Sequence, residues 1–144
     1  MSGSREAIAA ALFSTVSAAY AWGSTPSRRF KLWADVPATQ RPALFMQEAS
    51  PQSYVWTAQP NPKRTYGAKL FVYVDTHDQN AIGSQTLNAI MDAIDAALAP
   101  PPGFLKQTLG GLCDNCRIKS VPLVDDGALD GDGMLVIDVE IVAP

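Results

Sequence analysis

Four groups of residues in this chain are of types that carry chemistry. Cys113-Asp114-Asn115-Cys116 has the CxxC spacing of redox and metal motifs. A redox pair normally opens a helix after a strand, where the helix dipole lowers one thiol pKa. Here the pair runs instead into a strand-like stretch. As metal ligands the two thiols fall short of the four donors structural zinc takes, and His77 is the one histidine on hand. Two unpaired, partly buried thiols are expected. His77 itself lies between Asp75 and Asp78, in reach of an acid–base pairing, but no serine or cysteine nucleophile signature accompanies it. It reads as a loop histidine.

The acidic run Asp125-Asp126-Gly127-Ala128-Leu129-Asp130-Gly131-Asp132-Gly133 suggests calcium. A helix–loop–helix calcium loop needs oxygen donors at positions one, three and five and a glutamate at twelve. Starting at Asp126 puts Ala128 at three and Ile137 at twelve; starting at Asp130 puts Met134 at five. Neither register works, and a glycine-rich hairpin tip is the better account. The fourth group is basic and interleaved with an aromatic residue: Arg28, Arg29, Lys31, Trp33 and Arg41. Such a segment grips nucleic acid through phosphates and stacking. An isoelectric point near 4.9 argues against free nucleic-acid binding. A basic strand face set against an acidic protein surface fits better. With no glycine-rich phosphate loop either, no catalytic, metal or cofactor-binding residue is assigned.

The elements that must position these groups centre on residues 64–98. Tyr66, Ala68, Leu70, Val72 and Val74 alternate with Thr65, Lys69, Phe71, Tyr73 and Asp75, which predicts a strand with one face on a core. A polar break over residues 75–80 follows. Leu87, Met91, Ile94 and Leu98 then fall on one side of a helix, away from Asn88, Asp92 and Asp95. Pro100-Pro101-Pro102-Gly103 stops it, because proline lacks the amide donor and clashes with the preceding turn. Before this centre, Ile8, Leu12, Val16 and Tyr20 predict a first helix over 4–21, ended by Gly23 and Pro26. Ala19-Tyr20-Ala21 mimics a secretory cleavage site, but Glu6 and the serines and threonine at 14, 15 and 17 suit a packed helix better. Alternation over 27–36 predicts a strand with a basic face, and 43–48 a short second one. Residues 52–57 are placed to pair with the run from Tyr66 onward, across a proline-broken loop over 58–63. After an irregular connector over 103–111, strands are expected over 116–123, where Pro122 marks an edge or bulge, and over 134–142, with a turn between them. The fold class is α+β: a mixed, mostly antiparallel sheet packed by two main helices, in the order α-β-β-β-α-β-β.

At 144 residues the chain is expected to be a single domain, residues 1–144. Its 17% charged residues fall below the usual ~25%, a hint that partners cover part of the surface. Two cysteines are too few for a disulfide framework and suit a reducing compartment. No apolar run reaches the ~20 residues that span a bilayer, so no membrane role is expected. The net charge of −3 is divided along the chain. Residues 1–72 hold eight basic and three acidic side chains, a balance of +5, whereas 73–144 hold three and eleven, a balance of −8. Either the halves mix in space, or a basic side of one subunit meets the acidic side of the next in a heterologous, ring-closing contact.

Read whole, the chain resembles the tail terminator, or tail completion, proteins of long-tailed bacteriophages. The resemblance rests on Arg5-Glu6-Ala7-Ile8 opening a helix, Arg28-Arg29-Phe30-Lys31-Leu32-Trp33, and Arg41-Pro42-Ala43-Leu44-Phe45. Arg64-Thr65-Tyr66, the helical run 87–98, Gln107-Thr108-Leu109-Gly110-Gly111-Leu112, Cys116-Arg117-Ile118 and the Asp130-Gly131 turn continue it to about Ile141. Lys119-Ser120 and Asp138 depart from the pattern, which favours an acidic residue with glycine and a proline there. The resemblance implies a structural virion protein, made in the bacterial host cytoplasm, and not an enzyme. Such subunits form a ring, usually of six, on the last ring of tail-tube protein. They end tube polymerisation and offer the surface that joins the head–tail connector or stopper. DNA would pass through without specific binding. Arg28, Arg29, Lys31, Trp33 and Arg41, with Lys63 and Arg64 in the loop that follows Pro60, are assigned to the subunit or tube interface. Asp125, Asp126, Asp130 and Asp132 are assigned to the lumen, where carboxylates repel phosphates. The alternatives are another neck component, a head–tail stopper or adaptor, and a small cytoplasmic enzyme using Cys113, Cys116 and His77.

Overall fold

Two long alternating runs pair to form the spine of the molecule. The computed structural model describes residues 3–48, 52–78, 80, 82–119 and 122–144. Strand β3 (Lys63–Asp75) pairs antiparallel with β6 (Asp132–Ala143), in register from Arg64 opposite Ala143 to Asp75 opposite Asp132. Period-two alternation puts Ala68, Leu70, Val72 and Val74 on one face with Leu135, Ile137, Val139 and Ile141, all buried. The free edge of β3 carries β1 (Ala43–Gln47) and, further along, β2 (Ser53–Val55). The other edge of β6 carries β4 (Asn115–Ile118) opposite residues 139–142 and β5 (Leu123–Asp125) opposite residues 134–136. All the strand pairs are antiparallel, as the α+β expectation requires.

Two helices cover the apolar face. Helix α1 (Arg5–Ser17) is capped by Ser4, whose Oγ accepts the Ala7 amide at 3.1 Å, and buries Ile8, Leu12 and Val16. Helix α2 (Gly83–Ala97) buries Leu87, Ile90 and Ile94 against the same core. The two run in opposite directions. The Gly3 amide, just before α1, donates to Leu112, and beyond its end the Gly23 amide donates to Pro42. Helix α2 starts so close to the β5–β6 turn that a Cβ on Gly83 would overlap the Asp126 carbonyl. It finishes where Gln107 Nε2 donates to the Ala99 carbonyl at 2.9 Å. The sheet thus has a turn end, at Asp75 and Asp132, and a tail end, at Lys63 and Ala143.

The strand expected over 27–36 does not form. Ser27 makes one parallel bridge to Phe45, outside β1, and the chain then leaves the sheet edge to cross the second sheet face. Short 3-10 turns follow at Trp33–Asp35 and Ala38–Gln40. Two of the alternating apolar residues serve that crossing, while Leu32 and Ala34 stay exposed. Phe30 packs on Phe71 with ring centroids 4.5 Å apart, and Val36 joins Ala43, Phe45 and Tyr73 in a second, smaller core. The Tyr73 hydroxyl donates to the Lys31 carbonyl at 2.6 Å.

Boundaries shift elsewhere. Helix α1 ends at Ser17, short of residue 21, and the Trp22 indole Nε1 donates to the Ser17 carbonyl. The strand expected over 116–123 is two strands, β4 and β5. Asp125 belongs to β5 while Asp132 and Gly133 belong to β6, so the turn narrows to residues 126–131. Gln79 in the polar break, and Ser120 within the expected strand, lie outside the described residues. Among the described residues, no helix is long and apolar enough to cross a membrane.

Candidate assembly surfaces

The basic segment is built from Ser27 outward. Its amide donates to Leu44 and its carbonyl accepts from Met46, while its Oγ accepts the Arg29 amide at 3.0 Å. This turn sends Arg28 back toward α1. The guanidinium grips Glu6 (2.6 and 2.9 Å) and Glu48 (2.6 and 3.1 Å) at once, in charge-assisted hydrogen bonds. The hydrogen bond to Arg28 holds the Glu6 carboxyl below the usual carboxylate range. Arg41 is also turned inward. Its side chain is 5% exposed, pairs with Asp132 at 2.5 Å and donates to the carbonyls of Trp33, Val36 and Val74. Arg28 and Arg41, assigned to an interface, therefore tie the fold together. Arg29, Lys31 and Trp33 remain outward, and among the described residues neither the Arg29 nor the Lys31 side chain meets an acid.

Lys63 and Arg64 sit at the tail end. Lys63 pairs with Asp114, and Arg64 donates to the main-chain oxygen of Pro144 at 2.7 and 3.1 Å. Nearby, Arg5 donates to Gln52 at 3.0 Å and to the Tyr54 hydroxyl at 2.9 Å. The arm made by β2 and the following loop stays in solvent, with Trp56 70% exposed.

The four acids assigned to a lumen share the turn end, but not one environment. Asp125, Asp126 and Asp130 each accept a main-chain amide two residues on, at 2.9–3.0 Å, and so shape the turn. Asp132 is neutralised by Arg41. Trp33 lies beside Asp125, Asp130 and Asp132 around a small hollow of about 90 Å³. One end of the basic segment and the acidic turn, separate surfaces in the sequence reading, therefore form one corner.

A wider cleft of about 530 Å³ opens at this end between the β3–α2 connection and the β5–β6 turn. His77 lines it, its Nδ1 against Asp75 Oδ1 and its ring over Gly131. That hydrogen bond raises the His77 pKa and lowers that of Asp75. Cys113 and Cys116 lie at the other end, 5% and 1% exposed and free of disulfides. Burial pushes the Cys116 thiol up to about 12 and the Cys113 thiol above its ordinary value, which opposes thiolate chemistry. Cys116 faces Ile141, nine residues along β6 from the level of Asp75, so about 30 Å separates the thiols from His77. Cys113 and Cys116 therefore do not converge with His77. Among the described residues, no three His, Cys, Asp or Glu side chains are placed to hold a metal ion.

Sequence reasoning missed the exposed apolar side chains. Leu105 is 97% exposed in the connector after α2, and Leu129 fully exposed in the acidic turn, at 102%. Phe104 and Ile82 flank them at 68% and 56%. A lone leucine amid aspartates and glycines was the available signal for Leu129. No family model matches the chain, and comparison with curated proteins finds no match.

Proposed function

We propose that this chain is a tail terminator subunit: it forms a ring, six-fold by the resemblance above, on the end of a phage tail tube. The ring ends tube growth and presents its far side to the head–tail connector, as part of the virion. The mechanism is binding. The single observation that carries the reading is the pair of bare leucines at opposite ends of one sheet. Leu105 stands near the tail end, beyond the C-terminus of α2, and Leu129 at the turn end. Phe104 extends the first and Ile82, across the same cleft, the second, so each end carries an exposed apolar patch of the kind that partners cover. Charges that make no ion pair among the described residues include Arg5, Arg64 and Lys106 toward one end and Asp78, Asp125, Asp126 and Asp130 toward the other.

Asp125, Asp126 and Asp130 make no ion pair among the described residues and suit a passage through which DNA slides without sticking; Asp132, paired with Arg41, adds little. The experiment is a tube-capping assay with Leu105→Asp and Leu129→Asp, read by electron microscopy. Each variant is expected to keep the ring and lose one joint, either to the tube or to the connector. If both variants cap tubes and join heads as the wild type does, the reading fails.

A further inference from the structure

The ring reading leaves open which surfaces of neighbouring copies meet, and two on this sheet match each other. Strands β2 and β5 are each three residues long with every residue exposed. Among the described residues, no main-chain group from outside the sheet bonds to either one. The corresponding edges of β1 and β4 are occupied: Ser27 bonds to Leu44 and Met46, and Cys116 donates to Gln107. The sheet therefore offers two free strand edges, on opposite sides and at opposite ends. Open edges recruit further strands.

Direction and face also agree. Strand β2 runs antiparallel to β3, and β5, antiparallel to β6, runs parallel to it. Two copies facing the same way thus present β2 and β5 to each other antiparallel. Tyr54 lies opposite Arg64 and Val124 opposite Leu135, so both belong to the helix-covered face. Full overlap sets Tyr54 against Val124, Val55 against Leu123 and Ser53 against Asp125. The two apolar pairs, Tyr54 with Val124 and Val55 with Leu123, join side chains that are 49–59% exposed in the lone chain. Charge complements this register. Among the described residues, Arg5 and Arg64 beside β2 meet no side-chain carboxylate, bonding to Gln52, Tyr54 and the main-chain oxygen of Pro144, and the Asp125 and Asp126 carboxylates accept only main-chain amides.

We propose, resting on the ring reading, that neighbouring copies join by antiparallel addition of the β2 edge of one to the β5 edge of the next, with Tyr54 opposite Val124. The contact is heterologous, since different edges meet, and it propagates until the rotation closes.

The test uses the full chain. Directly opposed residues on paired strands bring their Cβ atoms within reach of a disulfide. Tyr54→Cys with Val124→Cys in one chain is expected to give, on mild oxidation, a ladder of linked species at least ten-fold above either single variant. A second pair avoids thiols. Val55→Arg with Leu123→Arg is expected to abolish rings, and Val55→Arg with Leu123→Glu to restore them. Rings seen by electron microscopy without excess linkage, or with both charge variants alike, overturn the strand pairing and leave the ring reading standing. A wild-type chain that stays monomeric at high concentration overturns both.

Discussion

Arg41 joins three separate parts of the chain through one guanidinium: the turn at Trp33 and Val36, the end of β3 at Val74, and Asp132 at the start of β6. Removing it leaves a carboxylate and three carbonyls without their donor. Arg41→Ala is expected to cost about 3–5 kcal/mol in urea unfolding, the range for breaking a buried pair on one side. A loss below about 1 kcal/mol contradicts that role. His77 and Asp75 make a pH-dependent pair. The raised His77 pKa gives stabilisation complete below the unfolded histidine value and lost as pH rises through the folded one. The lowered Asp75 pKa gives stabilisation complete above the unfolded carboxylate value and lost as pH falls through the folded one. Both hold between roughly pH 4.5 and 6.5. The melting-temperature gap between wild type and His77→Ala is expected to be widest there and to shrink steadily toward about pH 9. A flat gap across that range contradicts the pairing. Little of this was legible residue by residue. Residue type marked Arg28 and Arg41 as cations, but their acids lie 20 to 91 positions away along the chain. Only the fold decides whether such a cation faces in or out.

Among the elements, the junction of α2 with the β5–β6 turn is the tightest. Alanine normally stabilises a helix over glycine by about 1 kcal/mol. At Gly83 the sign is expected to reverse, because the added methyl meets the Asp126 carbonyl and main chain must move. Gly83→Ala is expected to lower the melting temperature; a rise refutes the packing described. Long periodic elements were readable because burial on one face imposes their period: β3, α2 and β6 stand close to where alternation and helical spacing put them. The run over 27–36 has the same alternation yet is no strand. Of its alternating apolar residues, Leu32 and Ala34 are exposed, whereas Val36 is buried and Phe30 partly buried by lying across the sheet instead of along its edge. The stretch over 116–123 broke for a local reason foreseen at Pro122, which cannot donate to a ladder.

For the whole molecule, the charge split along the chain resolves into pairing and polarity together. Arg41–Asp132, Lys63–Asp114 and Lys69–Asp138 join the two halves, so part of the imbalance cancels inside one subunit. Of the acids that remain, Asp125, Asp126 and Asp130 gather at the turn end, beside the start of β6. The outward residues of the basic segment still test the assembly. Arg29→Glu with Lys31→Glu is expected to leave a folded chain that no longer caps tubes, and normal capping contradicts a role for that face. The most direct measurement is electron microscopy of the purified chain, alone and mixed with growing tail tubes. The proposed assembly predicts closed rings, and tubes that stop growing with a ring on one end. A chain that stays monomeric at high concentration, beside tubes that lengthen undisturbed, contradicts it.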